Sequence, residues 1–213
     1  MPEAGRQDVL IIACGALARE INALKRTHGW DHVQLQCLDA RLHNRPQQIP
    51  LRLREKIQQN RDRFEHIFVA YADCGTAGEI DRVLAAEGIE RLAGAHCYEF
   101  FAGPERFSEL SAEEPGTFYL TDFLARNFEP LVIRALKLDS HPELREQYFA
   151  HYKRLLYLAQ TNDPSLMEKA ESAARRLGLQ FEYQHCGYGE MEQGLKLFIQ
   201  QEKHGQKNTH LLA

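Results

Sequence analysis

The chain has 213 residues, 44% hydrophobic and 26% charged, with 26 Lys and Arg against 30 Asp and Glu for a formal net charge of -4. Together with a mean hydropathy of -0.48, this composition describes an ordinary soluble globular protein; it excludes disordered and collagen-like chains, and no apolar run is long enough to span a bilayer. The lack of a basic excess argues against nucleic acid as a main partner. Five cysteines cannot all pair within one chain and are too sparse for a disulfide scaffold, so free or metal-bound thiols in a reducing compartment are expected.

Ile11, Ile12, Ala13 and Cys14 loosely match a lipoprotein processing site. Glu3 and Asp8 offset Arg6, however, and the apolar stretch Val9 to Ala13 is shorter than a signal core. The run therefore reads as a buried strand, and a cytoplasmic location is expected. A helical pattern follows over Ala16 to Thr27, with Leu17, Ile21 and Leu24 on one face. His32 to Leu38 reads as a second strand, a polar loop holds His43, Asn44 and Pro46, and a helix is expected from about Pro50 to Phe64. His66 to Ala72 is a third strand, Ala77 to Glu87 a helix ended by Gly88, and Arg91 to Cys97 a fourth strand. Such alternation predicts an α/β fold: a mostly parallel, Rossmann-like three-layer sheet with helices on both faces.

The middle of the chain is less regular. A short helix and loop are expected over Tyr98 to Ser111, a strand at Thr117 to Thr121, and helices at Phe123 to Leu138 and His141 to Tyr152. Leu155 to Gln160 resumes the strand pattern. Asp163 and Pro164 then start a helix that Gly178 ends. Phe181 to His185 is the last strand and Glu190 to Glu202 the last helix. One domain over residues 1–203 is expected, followed by a polar tail from His204 to Ala213.

The cysteines carry the functional signal. Cys14, Cys74, Cys97 and Cys186 each follow an expected strand, whereas Cys37 lies inside one. The carboxyl ends of parallel strands form one rim, where α/β proteins bind ligands, so residues distant in sequence meet there. Gly15 and Gly75 allow tight turns beside their cysteines. Helix N-termini beside Cys14 and Cys74 would lower the thiol pKa and favour the thiolate, which binds metal or attacks an electrophile. Asp73, His96 and Glu99 flank the cysteines and are candidates for acid, base or supporting roles, with His96 also a possible fourth ligand. Gly15, together with Gly75 and Thr76 in the loop Cys74 to Gly78 and with His43 and Asn44, is a candidate for holding a cofactor or an anion. Neither a Walker lysine nor the three-glycine dinucleotide fingerprint is present. Against these readings, cysteine is a small residue suited to buried strand ends, and a histidine beside one is as often a satisfied core residue as a ligand.

Several blocks carry a resemblance. Ala13-Cys14-Gly15-Ala16-Leu17, Leu42-His43-Asn44-Arg45-Pro46, Tyr71-Ala72-Asp73-Cys74-Gly75-Thr76, His96-Cys97-Tyr98-Glu99-Phe100-Phe101-Ala102-Gly103, Gly116-Thr117-Phe118-Tyr119-Leu120-Thr121-Asp122-Phe123 and Leu156-Tyr157-Leu158-Ala159-Gln160-Thr161 together resemble the bacterial and archaeal family called domain of unknown function 1638. The likeness extends over almost the whole chain. Through the genes that often lie beside its members, it implies a role in corrinoid-dependent methyl transfer or one-carbon metabolism. The blocks hold Cys14, Cys74 and Cys97 but not Cys186, which favours a three-cysteine site. Such a site suits zinc activating a thiol or methyl acceptor, or an iron–sulfur cluster with one iron open.

The leading expectation is a cysteine-ligated metalloprotein, with a small molecule or a corrinoid methyl-transfer protein as partner. Two others stay open: a non-catalytic accessory protein that binds a cofactor or corrinoid protein, and a metal-free thiol enzyme.

Overall fold

The opening apolar run becomes β1 (Gln7–Cys14), whose Leu10, Ile11, Ile12 and Ala13 have no exposed surface. Burial on both faces explains why the run is continuous rather than alternating. Each such Leu or Ile contributes about 1.5–3 kcal/mol. The structure, a computed structural model, describes the backbone of residues 7–209 and the side chains of 9–202. Among the described residues no helix is long and apolar enough to cross a membrane.

The strands form two all-parallel sheets, and the chain divides into two compact units. The first unit holds β2 (Val33–Leu38), β1, β3 (Phe64–Ala70) and β4 (Glu90–Arg91) in the order β2-β1-β3-β4. Between these strands run α1 (Ala18–His28), α2 (Ile49–Asn60) and α3 (Glu79–Glu87). Leu17 at its N-cap, Ile21 and Leu24 turn the apolar stripe of α1 inward, and left-handed Gly29 ends it. Gly88 ends α3 in the same way. The last helix, α9 (Gly189–Thr209), returns to this unit from Glu190 onward, where Phe198 stacks on Phe68 at 4.4 Å and Glu192 pairs with His28 at 2.9 Å.

The second unit spans Tyr98–Gly189 and holds β5 (Thr117–Thr121), β6 (Arg154–Ala159) and β7 (Gln180–His185) in that order. Its helices are α4 (Cys97–Ala102), which starts one residue earlier, α5 (Pro104–Glu113), α6 (Asp122–Arg126), α7 (Leu144–Phe149) and α8 (Pro164–Leu177). Asp163 caps α8 through the Ser165 amide and left-handed Gly178 closes it, as its sequence predicts. Arg154 is buried yet fully engaged: it donates to Thr117 Oγ1 at 2.8 Å, Glu182 Oε2 at 2.8 Å and the Leu110 carbonyl at 2.9 Å.

Several boundaries differ from expectation. The second helix stops at Asn60, because Phe64 turns inward as the first residue of β3. The fourth strand shrinks to two residues and Cys97 begins a helix, although residues 92–95 still run beside β3, with Leu92 N bonded to Val69 O, Asp73 N to Gly94 O and Cys74 N to Ala95 O. The long helix expected over Phe123 to Leu138 breaks after Arg126 into a π-helical turn at Glu129–Ile133, while the helix expected at His141 to Tyr152 contracts to α7. The last helix runs on to Thr209, into the segment read as a tail, and residues 210–213 lie outside the described residues.

A buried carboxylate ties the second sheet together. Asp122, with no exposed surface, accepts from Tyr157 Oη at 2.7 Å, the Gln160 amide at 3.0 Å and Thr161 Oγ1 at 2.6 Å. Its own amide donates to Gln160 Oε1 at 2.8 Å. Removing the carboxylate leaves several donors buried without an acceptor. Asp122→Ala is expected to lose about 3–5 kcal/mol in urea unfolding, and Tyr157→Phe about 1–2 kcal/mol; an unchanged midpoint in Asp122→Ala contradicts this account.

Candidate functional site

Register builds the site in the first unit. β1 and β3 are parallel with Ala13 opposite Ala70, so the next residues, Cys14 and Tyr71, leave the sheet at the same level. The chain beside β3 then delivers Cys97 two residues after Ala95, whose carbonyl accepts from the Cys74 amide at 2.9 Å. Burial raises the Tyr71 phenol pKa, and Cys14, Cys74 and Cys97 each add to the shift; burial likewise raises Cys97, with Cys74 and Cys14 adding to it.

Cys14 is 3% exposed and its sulfur accepts from the Ala16 amide at 3.4 Å, capping the short 3-10 turn Gly15–Leu17. That amide was expected to favour the thiolate. Burial dominates instead, with Asp39 adding to it, and the thiol pKa is pushed up to about 11 despite the Ala16 amide and the Tyr71 hydroxyl. Burial, Cys74 and Cys14 likewise drive Cys97 well above the ordinary thiol range. Cys37, paired with Ala13 on β2, is raised to about 11 by burial and by Cys14. Burial thus favours the neutral thiol form of Cys14, Cys37 and Cys97.

Cys74 sits at φ 50 on the turn leaving β3, a left-handed conformation that side chains rarely adopt. Gly75, Ala77 and Gly78 continue at φ 81, 55 and 82. Asp73 holds this turn: its carboxylate accepts from Thr76 Oγ1 at 2.6 Å, the Gly78 amide at 2.8 Å and the Ala77 amide at 3.2 Å. Desolvation raises its pKa, but these bonds outweigh it and hold the carboxyl below the usual range. Thr76 is buried in that network, and the loop amides that an anion would need are turned inward onto Asp73 and the Asp73 and Thr76 carbonyls. The loop presents Cys74 rather than cradling a phosphate.

His43 lies on the 3-10 turn Ala40–Asn44 with its ring stacked on Tyr71, centroids 6.0 Å apart and planes at 14°. Its Nδ1 is 2.9 Å from the Ala40 carbonyl and 3.9 Å from Cys14 Sγ. Desolvation of the ring lowers its pKa, but hydrogen bonding to Cys74 and to Ala40 prevails and raises it. Asn44 on the same turn is exposed, as is His96. Glu99 belongs to the second unit. Cys186 does too, packing there against the cluster of Leu110, Leu156 and Leu158.

Two residues escaped the sequence reading. Tyr71 closes an apolar run and reads as core. Arg91 reads as a strand residue, yet it pairs with Asp81 and donates to the carbonyls of Leu92 and Gly94, pinning the segment that leads to Cys97. A positive charge within an expected buried strand was the available signal. A cavity of about 480 Å³ adjoins the Cys74 turn, lined by Gly75, Thr76, Pro50, Leu51, Arg54 and Val83 among others. Among the described residues, no three or more His, Cys, Asp or Glu side chains are arranged as a group that could hold a metal ion.

A family model described as "Protein of unknown function (DUF1638)" matches residues 37–195. The chain belongs to that family. Cys74 and Cys97 lie within the matched DUF1638 region and Cys14 precedes it. No curated protein matches the chain. Among solved structures, an ornithine carbamoyltransferase from Pyrococcus furiosus aligns at 13% identity and a TM-score of 0.28, covering 84% of this chain and 54% of that one. The chain thus spans about half the length of that enzyme.

Gly15 makes the convergence possible. A Cβ there would lie 2.9 Å from the Leu38 carbonyl oxygen and 3.3 Å from the Ala40 amide nitrogen, both backbone. Gly15→Ala is expected to lose about 1–3 kcal/mol and to speed alkylation of Cys14 under native conditions. Unchanged stability and an unchanged alkylation rate contradict the tight approach.

Proposed function

We propose that the first unit of this DUF1638 protein is a thiolate metal centre, holding zinc or an iron–sulfur cluster on Cys14, Cys74 and Cys97. The observation that supports this reading is the register that ends β1 and β3 at one level, with Cys14 on one turn, Cys74 on the next, and Cys97 two residues past the Ala95 carbonyl that accepts from the Cys74 amide. Neutral buried thiols are poor nucleophiles at neutral pH, whereas a bound metal ion deprotonates coordinating thiols outright. Cys14 and Cys97 therefore make better sense as ligands that lose their protons on loading than as free reactive groups. The donor set suits a soft or borderline metal, and three sulfurs leave a coordination position for a substrate thiol or methyl acceptor.

When bound, the metal would supply Lewis acidity toward that fourth ligand. The chain's own residues do the rest. Asp73 holds the Cys74 turn, Arg91 holds the segment leading to Cys97, and His43, with Nδ1 2.9 Å from the Ala40 carbonyl and 3.9 Å from Cys14 Sγ, would take or give a proton there. The cavity beside Gly75 and Thr76 gives a small molecule a place to bind next to that turn. The family resemblance adds the setting: one-carbon or corrinoid-linked methyl metabolism, in the cytoplasm, with a corrinoid protein as possible partner.

A second reading rests on Cys74 and His43 alone. A cysteine at φ 50 between strand and helix that helps to raise the pKa of a nearby imidazole suits an activated thiol nucleophile. It needs no metal.

Metal analysis of protein purified without oxygen separates the two. The metal reading predicts stoichiometric zinc or iron in the wild type and its loss in the triple Cys14→Ala, Cys74→Ala, Cys97→Ala variant. A metal-free wild type whose Cys74 alone alkylates rapidly at neutral pH, with the rate falling in His43→Ala, favours the thiol enzyme.

A further inference from the structure

The second unit carries positive charge that its own fold does not neutralise. Two cavities flank Arg176 of α8, which lines both: one of about 310 Å³ is walled by Ile133, Leu138, Pro142 and Arg145, and one of about 220 Å³ takes in Arg126, Lys169 and Ser172. Two of these cations are already engaged. Arg176 is bonded to Glu129, with Nη2 3.4 Å from Oε1, and Arg126 faces the buried Asp122 carboxylate at 3.6 Å. The side chains of Lys169 and Arg145 form no hydrogen bond or ion pair among the described residues. Arg145 reaches over the end of α8, its Nη1 3.9 Å from where a Cβ on Gly178 would stand.

The backbone is irregular where it lines these cavities. The sequence pattern predicts one regular helix over Phe123 to Leu138, yet the chain forms a π-helical turn at Glu129–Ile133, whose first residue lines the smaller cavity and whose last lines the larger. Lys137, just before Leu138, stands at φ 58. π-Helical turns and left-handed non-glycine residues are uncommon, and they concentrate at functional sites. Ile133 and Leu138 supply a buried apolar wall beside the charges. An apolar wall with a few polar groups suits a small organic molecule better than a bare ion.

We propose that the second unit binds a small phosphate monoester, with its phosphate at Arg176 between Lys169 and Arg145 and its apolar body against Ile133 and Leu138. Two unpaired cations match the charge of a phosphate dianion, and guanidinium and ammonium groups together with the Ser172 hydroxyl are the donors that such a group takes. The site lies within the second unit and needs none of the cysteines.

Calorimetric titration of the full chain with phenyl phosphate, inorganic phosphate, benzoate and phenol tests the assignment. Phenyl phosphate is expected to bind one to one, at least about 10-fold more tightly than any of the other three, because only it offers both the charge and the apolar body. Lys169→Ala and Arg145→Ala are each expected to weaken it about 10-fold while keeping the wild-type unfolding midpoint, since both side chains are exposed. No saturable binding of phenyl phosphate overturns the inference, as does equal affinity in the two variants. Inorganic phosphate bound as tightly as phenyl phosphate removes the apolar body from the site, and benzoate bound as tightly removes the phosphate; either result also overturns it.

Discussion

The parallel pairing of β1 with β3, in a register that sets Ala13 against Ala70, is the constraint on which the candidate site depends. Parallel strands end at a common level, so whatever follows Ala13 and Ala70 meets at the same rim. Here those residues are Cys14 and Tyr71. The pairing of β3 with β4 continues past the nominal strand ends, because Asp73 and Cys74 donate to the carbonyls of Gly94 and Ala95, and that extension sets where Cys97 leaves. A one-residue slip would turn each of these side chains to the opposite face. Gly15 belongs to the same constraint, since only its missing Cβ lets the turn after Cys14 lie against the Leu38 carbonyl.

Each sheet concentrates buried polar groups where its strands end, with opposite results. In the second sheet the groups satisfy one another: Asp122 collects three donors from Tyr157, Gln160 and Thr161, and Arg154 finds three acceptors. Such a closed network fixes packing and asks for nothing further. In the first sheet the buried Tyr71 hydroxyl has no hydrogen-bond partner, which is unusual for a native interior. The difference separates a closed polar network from one that leaves a buried hydroxyl unpaired.

Much of this was legible in the chain. Continuous runs such as Val9 to Ala13 announce strands buried on both faces, and Gly88 and Gly178 mark helix ends because those positions need a left-handed backbone. The placement of Cys14, Cys74 and Cys97 after strands was likewise readable, and it rests on the parallel α/β pattern alone. Division into two sheets was not, since alternation of strand and helix records neither strand order nor which strands share a sheet. Tyr71 was hidden by its apolar company. Asp73 reads as a catalytic carboxylate because its neighbour is a cysteine, yet its oxygens are spent on Thr76, Ala77 and Gly78. The expected lowering of the Cys14 pKa was missed for a physical reason: a single amide at 3.4 Å does not offset complete removal from water.

The central claim is that three cysteine sulfurs from separate turns share one metal centre. X-ray absorption at the metal edge of the protein purified without oxygen tests it most directly, because the first coordination shell counts sulfur neighbours and measures their distance. The account predicts zinc with three cysteine sulfurs at about 2.3 Å, or the sulfur-rich shell and iron–iron scattering of a cluster. A first shell of nitrogen and oxygen alone, or a spectrum unchanged when Cys14, Cys74 and Cys97 are replaced, would contradict it.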